Sequence, residues 1–162
     1  MKKIAMNIIS GIITMSILVG ITMSALISPT VDPQELECLA LNIYHESRSE
    51  RVEGQLAVAH VTANRVAHDK WGSTICDVVY EHKQFSWTFL LDDHTPYNKT
   101  AYKNAEVIAR DVLIGNTEDP TQGAVFYHAS YVNPSWAKYL DISKVIGLHI
   151  FYTWDGDWNA DN

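Results

Sequence analysis

The N-terminal part of the chain carries no charged side chain from Ile4 to Val31. Within that run the segment MNIISGIITMSILVGITMSALIS would be about 35 Å long as a helix, which is enough to cross a hydrocarbon core of ~30 Å. Lys2 and Lys3 precede the run, whereas Asp32 and further acidic residues follow it. Because positive charges favour the cytoplasmic side of a membrane segment, we expect the rest of the chain to lie outside the cytoplasm.

This run divides the chain into a signal-anchor or transmembrane segment, residues 1–31, and an exported domain, residues 32–162. Two fates are open for the segment: cleavage as a signal peptide, or retention as an anchor in the inner (cytoplasmic) membrane. Its many Ser, Gly and Thr residues make its insertion into a membrane less favourable, so release of the protein into the periplasm or medium also stays open.

The length and net charge of the whole chain limit what it can be. The 162 residues suffice for one globular domain and carry a formal net charge of -7. Nucleic-acid binding relies on basic side chains that neutralise phosphates, so an acidic chain argues against a nucleic-acid partner. We expect a monomer whose membrane contact, where there is one, is made by the N-terminal segment.

Two cysteines occur, Cys38 and Cys76, and both lie in the exported part. An oxidising compartment would allow a disulfide between them. Two buried free thiols are the alternative that the sequence leaves open.

The pattern of apolar residues predicts helices first and strands later. Asp32 followed by proline is typical of a helix start, and that helix should run to about Ser47. A second helix should open at Gly54 and end near Val66, and a third should cover about residues 100–114, capped by Asn98 or Thr100. The runs AVFYHASY and GLHIFYTW have the composition of strands. This order predicts a small α+β domain.

Glu46 lies at the border of the buried stripe of the first helix, beside Leu39 and Ile43. Burial beside apolar groups disfavours the carboxylate and would keep a proton on Glu46 near neutral pH. A glycosidic oxygen leaves only when protonated, and a half-buried glutamic acid is a common proton donor for it. A solvated helical glutamate is the plain alternative.

Other chemistries fit the sequence less well. A helical zinc motif needs a second histidine where this chain has Ser49, and the seven histidines show no ligand-like pairing. Cys76 could meet a histidine in space, but no local signature of a cysteine nucleophile surrounds it. We therefore expect no metal and no cofactor.

Aromatic and polar residues along the chain could line a sugar-binding cleft. Trp and Tyr rings stack on sugar faces, and neighbouring polar groups bind the hydroxyl edges. The substrate-binding candidates are Gln55, Ser86, Trp87, Tyr127, His128 and Trp136.

Five runs together resemble one family, and they cover most of the domain from Leu36 to Tyr152. They are LALNIYHESRSERVEGQLAVAHVTANRV, ICDVVYEHKQFSWT, AYKNAEVIARDVL, PTQGAVFYHASYVNPSWA and GLHIFY. In their order and spacing they resemble the SleB-type cell-wall hydrolases, which include spore-cortex-lytic enzymes and phage lysins. The resemblance implies a lysozyme-like α+β domain that cuts the glycan of peptidoglycan, with Glu46 as its acid/base.

The resemblance implies cleavage between N-acetylmuramic acid and N-acetylglucosamine, by lytic transglycosylation or by hydrolysis. Transglycosylation needs one carboxyl group, because the muramoyl C6 hydroxyl closes a 1,6-anhydro ring in place of water. Hydrolysis would need a second carboxylate, for which Glu53 is the first candidate and Glu50 another. Glu53 could instead stabilise the positive end of the second helix.

A phage or prophage endolysin is the biological setting we favour. Two other classes stay open: an N-acetylmuramoyl amidase or other stem-peptide hydrolase, and a noncatalytic peptidoglycan-binding protein. The noncatalytic alternative rests on Ser49, which stands where glycine is common in the family. The sequence leaves open the bond cut, the host and the type of peptidoglycan.

Overall fold

The computed structural model describes residues 29–68 and 70–156. The predicted order is confirmed, because helices come first along the described residues and strands follow. The elements are α1 (Pro33–Ser47), α2 (Val52–Val66), α3 (Ile75–Tyr80), α4 (Trp87–Leu90), α5 (Lys99–Leu113), β1 (Phe126–Ala129), a 3-10 helix (Ala137–Tyr139), β2 (Asp141–Ile146) and β3 (His149–Thr153).

The predicted N-terminal membrane segment falls almost entirely outside the described residues, which begin at residue 29. Within the part of the chain that the structure describes, each helix is too short or too polar to cross a bilayer.

The three long helices begin close to the predicted positions. The Asp32 side chain accepts a hydrogen bond of 2.8 Å from the Gln34 amide and caps α1. Asn98, one of the two predicted caps, accepts from the Ala101 amide at 3.0 Å at the start of α5. The predicted start of α2 at Gly54 is late, because the helix already begins at Val52.

Helix α1 is central to the packing of the helices. It contacts α2, α3 and α5, and its Leu39 and Ile43 are fully buried. A second apolar cluster joins α2 to the sheet through Ala57, Val61 and Phe151. Because α2 contributes residues to both clusters, it holds the end of α1 in a defined position relative to the sheet.

The three strands form an antiparallel sheet in the order β1-β3-β2. Tyr127 pairs with Phe151, and the next residue, His128, pairs with Ile150. Side chains alternate between the two faces of a sheet, so Tyr127 and Phe151 share one face while His128 lies on the other. Tyr127 packs against both apolar clusters, which places its face towards the helices.

Strand β2 and helix α3 were not predicted. β2 is an edge strand in which Ile146 is the one buried residue, so its apolar pattern is weak. α3 has the sequence ICDVVY, which is typical of a strand, but a tertiary contact from Glu35 and a local cap by Thr74 favour a helix. The Glu35 carboxylate accepts from the Ile75 amide at 2.6 Å, and the Thr74 hydroxyl accepts from the Asp77 amide at 3.0 Å.

The disulfide, one of the two alternatives for the cysteines, is present in the structure. Cys38 on α1 and Cys76 on α3 are joined, with their Cα atoms 5.3 Å apart. The bond fixes the short α3 to the central helix.

A buried polar chain fixes α4 to the two first helices. The Trp87 indole donates a 3.0 Å hydrogen bond to the Asn42 side-chain oxygen, and the Asn42 amide donates to the Thr62 hydroxyl at 3.0 Å. Asn42 and Thr62 are fully buried, so each of these polar groups depends on the others for a partner. The chain therefore specifies how the segment with Ser86 and Trp87 lies against α1.

Candidate active site

Glu46 lies in the last turn of α1 and is half-buried. Its Oε2 accepts a 2.8 Å hydrogen bond from the hydroxyl of Tyr127 on β1, although 81 residues separate the two in sequence. The position of Glu46 at the border of the apolar stripe is therefore as predicted. Its carboxyl group lies between the helices and the sheet.

Arg65, near the end of α2, is the cation of this region. Its side chain is buried, and its Nε donates to the Val125 carbonyl at 2.7 Å. The guanidinium lies over the rings of Trp71 and Phe85, at 5.6 Å and 5.2 Å from their centroids. Its positive charge acts on Glu46 through a medium that contains little water.

Three influences set the protonation of Glu46. Burial raises the pKa of the Glu46 carboxyl group, whereas the Tyr127 hydrogen bond and the charge of Arg65 both lower it, and burial is the largest of the three. Burial and the neighbouring Glu46 raise the pKa of Tyr127 well above its ordinary value, so its hydroxyl keeps its proton. The site can therefore offer a proton from Glu46 and then stabilise the carboxylate that results.

A pocket of about 410 Å³ is lined by His45, the residue before Glu46 in sequence, and by Ser86 and Trp87. The His45 ring stacks on Trp87 with centroids 4.5 Å apart. Trp87 is only 5 % exposed, so it forms a wall of this pocket and not an open platform. Ser86 is exposed beside it.

The other predicted substrate-binding residues lie elsewhere in the described structure. Gln55 is buried, donates from Nε2 to the Glu50 carbonyl at 3.0 Å, and lines a separate pocket between α2 and α5. His128 and Trp136 lie on the other face of the sheet, where the His128 Nε2 is 2.8 Å from the Tyr152 hydroxyl. The structure thus joins Tyr127 to Glu46, whereas Ser86 and Trp87 lie at the pocket that His45 lines.

The two further glutamates differ in their surroundings. Glu53 is exposed in the first turn of α2, where its charge favours the positive end of that helix. The side chain of Glu50 is only 10 % exposed, and its Oε1 lies 3.4 Å from the Leu148 amide and 3.9 Å from the His149 Nδ1. The carboxylate of Glu50 is therefore directed at the turn between β2 and β3.

Sequence reasoning missed Arg65, whose charge acts on Glu46, and His149, whose ring packs on Tyr127. Arginine is most often exposed, and no local pattern distinguishes Arg65 from a surface residue of α2. His149 was one of several scattered histidines. Within residues 29–68 and 70–156, no three His, Cys, Asp or Glu side chains are grouped as metal ligands would be.

Known proteins share both the sequence pattern and the fold. A family described as Cell Wall Hydrolase matches residues 49–152. The spore cortex-lytic enzyme of Bacillus cereus is 31% identical over 118 residues, which are 72% of this chain and 43% of that protein. The Bacillus subtilis spore cortex-lytic enzyme is 28% identical over 120 residues, covering 37% of its length. This chain thus spans less than half of these relatives.

Two solved structures of catalytic domains are similar to this chain. The catalytic domain of the Bacillus cereus SleB protein gives a TM-score of 0.60 at 30% identity, covering 77% of this chain and 94% of that one. The catalytic domain of the germination-specific lytic transglycosylase SleB from Bacillus anthracis gives 0.63 at 28% identity, covering 78% and 100%. The family match covers residues 49–152, and the solved structures match in both sequence and fold. The chain belongs to the cell wall hydrolase family of enzymes, of the SleB type.

Proposed function

We propose that this enzyme cleaves the glycan strand of peptidoglycan between N-acetylmuramic acid and N-acetylglucosamine, by lytic transglycosylation, with Glu46 as its general acid and base. Family membership supports peptidoglycan as the substrate. The likeness to a solved domain described as a lytic transglycosylase supports the reaction type.

The observation that carries the proposal is the state of Glu46. Its carboxyl group is half-buried, its pKa is raised by that burial, and the Tyr127 hydroxyl holds one of its oxygens at 2.8 Å. A proton donor that must work near neutral pH requires this combination of burial and fixed orientation.

Glu46 takes part in both halves of the proposed reaction. It first gives its proton to the glycosidic oxygen, so that the bond to the muramoyl C1 breaks and the N-acetylglucosamine hydroxyl leaves. The muramoyl C6 hydroxyl then attacks C1, and its proton passes to the Glu46 carboxylate. The 1,6-anhydro ring closes, Glu46 regains its proton, and no water is consumed. The Tyr127 hydroxyl stabilises the carboxylate between the two steps.

A single carboxyl group suffices for this reaction, and the surroundings of the other glutamates favour it. Hydrolysis would need a second carboxylate free to activate water or to attack C1. Glu53 is exposed at the start of α2, and Glu50 is directed at the β2–β3 turn. Transglycosylation therefore remains our proposal over hydrolysis.

We further propose that the enzyme acts outside the cytoplasm, either anchored by residues 1–31 or released, as a phage or prophage endolysin does. The Cys38–Cys76 disulfide supports an oxidising compartment, because such bonds persist mainly outside the cytoplasm. Cell fractionation after expression with the native N-terminus would test this. Activity recovered only in the cytosolic fraction would contradict it.

The experiment that tests the reaction class is digestion of purified sacculi by the exported domain, followed by mass spectrometry of the fragments. The proposal predicts soluble disaccharide-peptides that end in anhydromuramic acid. Free stem peptides with intact glycan would instead identify an amidase or peptidase. Binding to sacculi without any release would identify a noncatalytic binding protein.

Replacing Tyr127 by phenylalanine should lower kcat about tenfold, since Glu46 loses the donor that orients it and stabilises its carboxylate. The loss of that donor also raises the pKa of Glu46 further. The alkaline limb of the kcat profile, where Glu46 loses its proton, should accordingly move to higher pH. Muropeptide release measured across pH checks both effects. A limb that moves to lower pH would contradict the assignment.

A further inference from the structure

Glu50 connects the loop after α1 to the β2–β3 turn. Its side chain is only 10 % exposed, and its Oε1 accepts from the Leu148 amide at 3.4 Å. The turn fits around this carboxylate: Gly147 has φ +57°, and a Cβ at that position would collide with Glu50 Oε2. Glycine is thus required both by the backbone conformation and by the space that Glu50 occupies.

His149 lies between Glu50 and Tyr127. Its Nδ1 is 3.9 Å from Glu50 Oε1, and its ring meets the Tyr127 ring edge to face, with centroids 5.3 Å apart. Phe151 lies against the Tyr127 ring as well, at 5.6 Å. Two side chains of β3, His149 and Phe151, therefore pack against the Tyr127 ring, whose hydroxyl binds Glu46.

We propose that Glu50 and His149 are positioning residues of the active site: Glu50 fixes the β2–β3 turn and so the start of β3, where His149 lies, and His149 packs on the Tyr127 ring so that its hydroxyl meets the Glu46 carboxyl group. This inference rests on the proposed function for its kinetic consequences but not for its geometry. Both residues act through Tyr127 and not by contact with the substrate.

The closeness of Glu46 and Glu50 along the chain supports the inference. Glu50 follows Glu46 by four residues, in the loop after α1, so the same short segment carries the acid and the group that contacts the β2–β3 turn. Through His149 and Tyr127, the sheet is thereby tied to both ends of that segment. A misplacement of about 1 Å in such a contact can cost up to a hundredfold in rate.

Burial favours the neutral form of His149. Burial lowers the pKa of His149 and the charge of His128 on β1 lowers it too, whereas Glu50 opposes both. Tyr127, the remaining titratable neighbour in contact, keeps its proton. Acting through ring packing, His149 needs no charge to hold Tyr127.

A double-mutant cycle tests the inference in the exported domain. Glu50→Gln and His149→Gln should each lower kcat about tenfold with KM nearly unchanged. In a Tyr127→Phe background each should add less than about twofold, because the hydroxyl that they position is gone. Equal losses in both backgrounds, or no loss in either, would overturn the inference.

Matched controls separate positioning from general loss of structure. Glu35→Gln alters another half-buried carboxylate that accepts backbone amides, and His60→Gln alters a half-buried histidine that bonds to the Thr117 hydroxyl at 2.9 Å. Both should leave kcat within about twofold of wild type in either background, whatever they do to thermal stability.

A second readout requires no activity. The titration midpoint of the Glu46 carboxyl carbon, assigned by NMR as the signal lost in Glu46→Gln, should rise by roughly half a unit in Glu50→Gln and in His149→Gln. When either substitution is added to Tyr127→Phe, the midpoint should not rise above that of Tyr127→Phe alone. Removing the negative charge of Glu50 would by direct electrostatics lower the midpoint, so the sign of the shift separates the two effects.

The outcomes distinguish this inference from the proposed function. If the wild-type domain releases no glycan but the Glu46 midpoint still rises in the two variants, the proposed function is overturned and the positioning role is supported. Glycan release with unshifted midpoints would overturn the positioning role alone. Where the kinetic cycle and the titration differ, the titration decides.

Discussion

Replacing Glu46 by glutamine is expected to lower the rate of glycan release by about a thousandfold, since general acid-base catalysis contributes 10²–10⁴-fold. Glutamine keeps the shape of the side chain and can still accept from the Tyr127 hydroxyl, but it offers no proton. The measurement is the initial rate of soluble muropeptide release from sacculi, with Glu35→Gln as the matched control. A variant that keeps more than a tenth of wild-type activity would contradict the role of Glu46.

The same substitution should not cost stability at neutral or alkaline pH. The pKa of Glu46 is raised in the folded protein, so ionisation of Glu46 opposes folding as pH rises through that pKa. Glutamine removes this penalty, because it cannot ionise. Urea unfolding above neutral pH should therefore show Glu46→Gln to be at least as stable as wild type. A less stable variant would mean that its activity loss reflects damage to the fold.

Removal of the disulfide is expected to have the largest effect on stability. Cys38 and Cys76 are 38 residues apart, and in the chain-entropy model closing such a loop stabilises a protein by about 4 kcal/mol. Reduction, or the Cys38→Ala/Cys76→Ala variant, should lower the free energy of unfolding by that amount and Tm by about 15 °C. Urea unfolding with and without reductant measures it.

The double-alanine variant supplies the control for reduction, since its unfolding should not respond to reductant. Below its lowered midpoint it should also keep its kcat, because Cys38 lies about 12 Å along α1 from Glu46. A loss of stability under about 1 kcal/mol would show that the unfolded chain is already constrained in this region.

Local signals explain which parts of the fold could be predicted. α1 has an aspartate cap, a proline at its first position and a continuous buried stripe, and each of these acts within a few residues. The same stripe locates Glu46 at its border, which is why its half-buried position follows from sequence. The disulfide could be raised only as one of two alternatives, since spacing does not fix pairing.

Contacts that are distant in sequence explain what could not be predicted. Tyr127 was expected to stack on a sugar, yet its hydroxyl binds Glu46 across 81 residues. α3 is helical because Glu35 accepts its first amides, and nothing in ICDVVY indicates this. Burial of Arg65 likewise depends on the packing of Trp71 and Phe85 around it.

In the proposed reaction Glu46 acts alone, with an internal hydroxyl in place of water. Digestion of sacculi in heavy-oxygen water, followed by mass spectrometry of the muropeptides, distinguishes this reaction from hydrolysis. The products should be one water molecule lighter than hydrolysis products, with no heavy oxygen at the muramoyl C1. Reducing-end products that carry one heavy oxygen would contradict it and would make the enzyme a hydrolase.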